Sequence, residues 1–403
     1  MTASPTPAPA SALPSTRDEN WRYAPLRGLE RLQWTPPAAL TDDAIASARA
    51  LLGDAKATGT RWTFVDGHFA AALSSGPAPQ AERAPQVERA PQTGVIADAA
   101  VDAVDGGADL AFARLNRRHA PSPVTLRIPA DTALDLEVAC VALSVGHPAF
   151  IIEVGAGAKL RLVEHHLSGA NALANLRLQL RLAPGARVEH SRLLQPASGA
   201  RHFETLQLRL DAAAELHLVQ LTTGGAATRS TALVDLAGAD ATLRWHTAML
   251  GAGQQAHDAY VRVTHDAPGA RTEQAYRGIA ADRSRIAFNG HMRVTSRARG
   301  ANSDQTLRSL LAGPAAEANA RPQLEIDTDD VRASHGATVG KLDADMLFYL
   351  LSRGITPDAA ESLLKWAFVS DVLAKLPDAA LRARFETAIA PLLPGAEAAR
   401  SLA

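Results

Sequence analysis

Cysteine is almost absent. The 403 residues contain one, Cys140. That count excludes a disulfide framework, a CxxC zinc site and a self-contained four-cysteine iron–sulfur site. Aromatic residues are scarce at 4%, which argues against stacking platforms for sugars or bases. Neither sign of charge dominates: 41 Lys and Arg against 42 Asp and Glu leave a formal net charge of −1. Binding to nucleic acid through bulk electrostatics is therefore not expected. Long apolar runs are missing too. The longest, Val138 to Ile152, is broken by His147-Pro148 and is too short to span a bilayer. Met1 to Ala10 has no basic segment and is interrupted by prolines. Residues 1–16 read as a disordered tail rather than a signal peptide, and a reduced, cytoplasmic location is the default expectation.

What is present is globular, with 47% hydrophobic and 21% charged residues. Residues 17–123 form a mixed helical region. Thr41 can cap a helix over Ala44, Ile45, Ala48, Leu51 and Leu52. The stretch from Trp62 to Leu73 reads as a hairpin turning at Asp66-Gly67. A six-residue repeat follows, Ala78-Pro-Gln-Ala-Glu-Arg and its copies from Ala84 and Ala90. Proline in every copy forbids a continuous helix, so 76–93 reads as a solvated insertion.

The centre of the chain, 124–342, carries a longer repeat. Each unit opens with an alanine followed by alternating polar and apolar residues: Ala158-Lys-Leu-Arg-Leu, Ala186-Arg-Val-Glu-His, Ala214-Glu-Leu-His-Leu and Ala241-Thr-Leu-Arg-Trp. Weaker copies start at Ala270 and Ala301, and a last one at Val331. The intervals are 28, 28, 27, 29, 31 and 30 residues, and each holds a second alternating run such as Leu206-Gln-Leu-Arg-Leu. A steady period near 29 with two strands per unit is the signature of a flattened β-solenoid. A β-sandwich would explain the alternation but not the period. Inward positions are apolar in the first four units (Leu160, Leu162, Val188, Leu216, Leu218, Leu243, Trp245) and become Thr272, Gln274, Ser303 and Gln305 in the next two. Either polar ladders fill the coil there, or this end meets a partner or a reactive site.

From Asp343 the period becomes helical. Leu347, Leu350 and Leu351 mark a first helix ending at Gly354; Thr356-Pro357-Asp358 starts a second; Leu381, Phe385 and Ile389 suggest a third. A helical cap over the open end of the solenoid is expected in 343–403, although these helices are too apolar to serve as a cap alone.

Several motifs bear on chemistry. Gly336-Ala-Thr-Val-Gly-Lys-Leu imitates a phosphate loop, but three residues separate its glycines where four are needed, and Leu342 replaces the magnesium-binding hydroxyl. Cys140 alternates with Leu136 and Val138, as a buried thiol would. Glu325, Asp327 and Asp329, with Asp330 beside them, share one face if the run is a strand. That is either a solvated face or the acid–base set of a β-helix enzyme acting on a polysaccharide. His335 stands before Gly336, which permits a tight turn presenting the imidazole. His165, His166, His190, His217, His246 and His291 share no repeat offset and do not read as a metal ladder.

Three stretches in order resemble the SufB/SufD family of iron–sulfur cluster assembly proteins. They are Ser303-Asp-Gln-Thr-Leu-Arg-Ser-Leu-Leu; Arg321-Pro-Gln-Leu-Glu-Ile-Asp-Thr-Asp-Asp-Val-Arg-Ala-Ser-His-Gly-Ala-Thr-Val-Gly-Lys-Leu-Asp; and Leu347-Phe-Tyr-Leu-Leu-Ser-Arg-Gly-Ile. Trp21-Arg-Tyr, Phe64-Val-Asp-Gly, Leu115-Asn116 and Ile128-Pro129 are similar to the SufD branch. The resemblance implies a mainly β protein: a right-handed parallel β-helix between an N-terminal α/β region and a C-terminal α-helical domain.

It also implies a non-catalytic subunit that pairs with a SufB-like chain and docks a SufC-like ATPase. A transient cluster or iron would be held at the subunit interface. A flavin is compatible with the family, and a homodimer would replace the pair when the partner is absent. The family's Ser-His-Gly-Ala-Thr histidine falls on His335, the candidate ligand. Ala333 stands where many relatives carry cysteine, which favours the SufD branch. The partner interface is expected around Glu325, Asp327, Asp329, Asp330 and His335. The ATPase is expected on Phe348, Tyr349, Arg353, Trp366 and Phe368.

Overall fold

The computed structural model describes residues 13–32, 34–53, 59–79 and 107–393. Residues 1–12 of the tail and 80–93 of the Ala-Pro-Gln insertion lie outside them. Alternation places every second side chain of a strand on the same face, and two such faces close on each other here. One sheet runs, neighbour to neighbour, through Val331–Gly340, Ala301–Ala312, Arg271–Ala281, Thr242–Gly251, Glu215–Thr223, Arg187–Gln195, Lys159–Ser168, Ala133–Ala142, Thr60–Val65 and His68–Phe69. The opposing sheet runs through Glu317–Ile326, Arg285–Val294, Ala256–His265, Ala227–Leu236, Arg201–Leu210, Leu173–Leu182, Ala149–Val154 and Val124–Ile128, with Val145–Gly146 at its side. From Ala149 on, consecutive strands alternate between the sheets and neighbours within a sheet are parallel, so each repeat is one turn of a solenoid; the antiparallel pair is Thr60–Val65 with His68–Phe69. Register partners succeed one another as Lys159, Arg187, Glu215, Thr242, Arg271, Asn302 and Arg332, the same intervals as the sequence repeat.

The opening alanine of each unit is a corner. Ala158, Ala186, Ala214, Ala241, Ala270 and Ala301 are buried to 1% exposure or less. The residue before each has positive φ: Gly157, Gly185, Ala213, Asp240, Gly269 and Gly300. The chain reverses in a left-handed residue, and the next side chain, a methyl group, turns into the interior. Ala213 is the one alanine among these turn residues, at φ 54°, where a Cβ is strained.

The near end of the solenoid is finished by the N-terminal hairpin. Thr60–Val65 adds in parallel to Ala133–Ala142, with Phe64 opposite Cys140. It then turns at Asp66-Gly67, with φ of 50° and 98°, onto a strand of two residues, His68–Phe69. The hairpin is shorter than the sequence suggests, because Ala71–Leu73 is a 3-10 turn. Helix α1 (Asp42–Leu52) starts where expected, with Thr41 accepting from the Ala44 amide at 3.2 Å. Helix α2 (Ala111–His119) lies on the second sheet, its Phe112 stacked 4.5 Å from Phe203. Trp21 joins this stack at 5.4 Å from Phe112 and lies under the Arg229 guanidinium at 4.1 Å.

At the other end come α3 (Ala344–Ser352), α4 (Pro357–Leu373) and α5 (Ala379–Ile389). Asp343 caps α3, Pro357 opens α4, and Gly354 at φ 83° makes the turn between them. The expectation that these helices close the solenoid is not met. Val369, Val372, Leu373, Phe385 and Ile389 pack instead on the outward side chains Val219, Leu221, Ala248 and Leu250 of the first sheet. The second halves of those strands carry apolar side chains on their outward face, so that face must be covered. Arg384 of α5 ties the helix down by donating to Glu137 at 2.8 Å and to His165 Nδ1 at 2.6 Å. Replacing Ala213 by glycine removes the Cβ strain at an exposed corner. We expect Ala213→Gly to stabilise the fold by about 1 kcal/mol, read as a higher urea midpoint; a lower midpoint contradicts the corner account.

Candidate functional site at the open end of the solenoid

The last turn consists of Glu317–Ile326 and Val331–Gly340, each paired on one side only, with Arg285–Val294 and Ala301–Ala312. No described element covers their outer edges. Every residue from Ser334 to Gly340 is exposed. Unpaired strand edges of this kind are templates for another strand.

His335 lies within the last strand and not in the turn that Gly336 suggests; glycine is accommodated here because the strand is open. The residue is opposite Gln305, which is opposite Gln274 and then Trp245. His335 is therefore the final member of an inward column and stands at the mouth of the solenoid. Its column is polar at this end, with Gln274 and Gln305 buried, and so is the inward column beside it, with Thr272 and Ser303 buried; Gln305 Nε2 donates to Gln274 Oε1 at 2.5 Å. The phosphate-loop look-alike also belongs to this strand, which stays extended through Gly340.

The acidic run does not share one strand face. The strand stops at Ile326, and Asp327, Asp329 and Asp330 sit on the turn that leads to Val331. Glu325 forms an ion pair with Arg293 at 3.2 Å and lies 3.3 Å from His291 Nε2, and Asp330 lies 3.8 Å from Arg299. An acid–base pair from Glu325 and its neighbours is thus not assembled. Glu325 and His335 occupy the two edge strands of the same turn, in different sheets.

The five residues expected to meet the ATPase divide into two groups. Phe348 and Tyr349 project from α3 with 73% and 56% exposure, and Arg353 stacks 5.1 Å over the Tyr349 ring. Trp366 and Phe368 are partly buried against the cluster beneath α4. A groove of about 380 Å³ runs between the last strand and helices α3 and α4, lined by Val339, Leu342, Met346, Leu364 and Phe368.

Deeper in the coil lies a buried charged cluster that sequence reasoning missed. Arg192 donates to Glu164 at 3.0 Å and to both oxygens of Glu204 at 2.9 Å. His166 and His190 meet Glu164 at 2.7 and 3.0 Å, and His202 meets Glu204 at 3.0 Å. The available signal was positional: Glu164 and Arg192 are 28 residues apart, one full turn, at inward parity. Burial alone would raise the Glu164 carboxyl, but Arg192, with His190 and His166, holds it well below its ordinary value. Cys140 lies beside His166 across one rung and is 6% exposed. Burial first, then the Glu164 charge, pushes its thiol well up, so it is a poor thiolate. Among the described residues, no three His, Cys, Asp or Glu side chains are placed to hold a metal ion.

Other histidines are kept neutral by burial: His147, His257 and His265 are each lowered to about 4. As pH falls below 6.5 the unfolded chain takes up these protons before the folded chain does, so stability is lost. Glu164 and Glu204, depressed in the folded state, add loss of the same sign below about 4.5. We expect the melting temperature to be flat from pH 8 to 7 and to fall steadily from pH 6.5 to 4 in circular dichroism. A flat profile through that window contradicts the assignment of neutral buried histidines.

Comparison with known proteins agrees with this architecture. The sequence profile of the family described as "SUF system FeS cluster assembly, SufBD core domain" matches residues 139–368. The chain is 29% identical over 398 residues to the iron–sulfur cluster assembly protein SufD of Escherichia coli K12, covering 96% of this chain and 90% of that protein. It is 30% identical over 244 residues to the chloroplastic protein ABCI7 of Arabidopsis thaliana, covering 60% and 51%. Over 131 residues it is 30% identical to SufD of Bacillus subtilis, covering 32% and 30%. With a parallel solenoid matched over more than half of its length and full-length likeness to a SufD, the chain belongs to the SufB/SufD family of iron–sulfur cluster assembly and is SufD-like within it.

Proposed function

We propose that this chain is a non-catalytic subunit of a cytoplasmic SUF complex, pairing through its open end with a SufB-like subunit. The observation that carries the reading is the uncapped last turn, whose inward column ends on His335. A partner strand added along Val331–Gly340 satisfies the free edge and brings the partner's ligands to that histidine. Neutral imidazole suits ferrous iron, and a partner thiolate suits iron and sulfur together. The cluster, or its iron, is then cargo held between two chains and not a resident cofactor of this one. With its single thiol buried, this chain provides one ligand and leaves the sulfur chemistry to the partner. In the partner's absence the same edge pairs with a second copy of the chain, more weakly. No observation favours the polysaccharide enzyme, since Glu325 is engaged by Arg293 and His291.

The SufC-like ATPase docks on α3. Exposed aromatic side chains beside an apolar groove are the anchor type that dominates interface energy, and Phe348 and Tyr349 contribute nothing to the core. Co-expression with the two partners tests both surfaces. Phe348→Ala with Tyr349→Ala is expected to lower ATPase capture at least tenfold and leave the SufB-like chain bound. His335→Ala is expected to keep the complex intact and to cut anaerobic cluster yield severely, while Cys140→Ala has little effect. Wild-type yield from His335→Ala together with a loss in Cys140→Ala moves the ligand role to Cys140.

A further inference from the structure

The polar column beneath His335 is incomplete. Gln305 is fully buried, and its amide nitrogen is committed to Gln274 Oε1 at 2.5 Å. Its own oxygen, Oε1, is buried with no hydrogen-bond partner among the described residues. A buried acceptor left unpaired is costly, and native structures seldom retain one. The next residue of the column, one rung further out, is His335. The opposing sheet keeps the space open: at Gly290 a Cβ would collide with Gln305 Nε2. Glycine there lets the glutamine ladder continue straight towards the mouth.

We propose that Gln305 is a positioning residue for His335: its Oε1 accepts the N–H of one imidazole nitrogen and leaves the lone pair of the other directed out of the solenoid. The proposal rests on the reading of His335 as a ligand. The chain of donors runs one way, from His335 to Gln305 to Gln274. In this direction the imidazole must be the donor, because the glutamine presents an oxygen. The hydrogen bond thereby selects one tautomer and one ring orientation before any metal arrives. Outer partners of this kind are what fix metal-binding histidines, and their loss typically costs about 10- to 100-fold in metal affinity. An imidazole free to rotate would offer either nitrogen, in either tautomer.

The test uses the full-length chain labelled with ¹⁵N in its histidine rings, at a pH where the imidazole is neutral, with the His335 signals identified by their loss in His335→Ala. The expected spectrum shows one ring nitrogen protonated and the other bare, and no averaging between them. Gln305→Leu should collapse this to the averaged shifts of a free histidine, and Gln305→Glu, which still presents an acceptor, should restore the single tautomer. In the co-expressed complex, Gln305→Leu should also weaken ferrous iron binding about tenfold or more, with Gln305→Glu recovering it. Averaged shifts in the wild type, or a single tautomer that survives Gln305→Leu, overturn the proposal and leave the ligand role of His335 standing. A locked tautomer in a chain whose His335→Ala variant assembles clusters normally overturns the ligand role instead.

Discussion

The backbone ladder that joins one turn of the solenoid to the next governs the rest of this structure. Each rung satisfies the rung before it, and the last cannot satisfy itself. At the near end the hairpin of Thr60–Val65 and His68–Phe69 folds back and finishes the first sheet. At the far end nothing among the described residues does the same for Val331–Gly340. A free edge flanked by Val339 at 46% and Ile326 at 40% exposure is an aggregation hazard in a monomer and an assembly surface in a complex.

The interior changes along the coil in keeping with that asymmetry. The middle turns bury leucine columns around one charged cluster in which Arg192 holds two carboxylates. Such clusters are weak sources of stability, yet removing one member strands the others. Towards the open end the columns turn to threonine, serine and glutamine and finish on His335. The C-terminal helices, which a closed solenoid would need as a lid, lie along the outer sheet face because Val219, Leu221, Ala248 and Leu250 require cover there. One apolar demand is met, and the edge is left for another chain.

Much of this was legible in the sequence because its causes are local. The period is carried by buried corner alanines and by the left-handed residues before them. Thr41 and Pro357 mark helix starts through their own side-chain chemistry. The family is legible in the motifs around His335 and Phe348. What was not legible depends on pairing across turns. Glu164 and Arg192 are neighbours only once the coil closes, and Glu204 reaches them from the other sheet. Gly336 suggests a turn until its strand is seen to be an open edge where glycine meets no neighbour. The acidic run looks like one face until the strand ends at Ile326 and Glu325 finds Arg293 and His291.

The central claim is that the unsatisfied edge of the last turn is the assembly surface. Hydrogen exchange of the full-length chain, followed with and without a SufB-like partner, tests it most directly. The account predicts that the amides of residues 331–340 on the free edge, which do not donate to Ala301–Ala312, exchange fast in the isolated chain and become protected at least tenfold in the complex, with the hairpin at 60–69 unchanged. Protection that appears elsewhere while 331–340 continues to exchange at its free rate would contradict it.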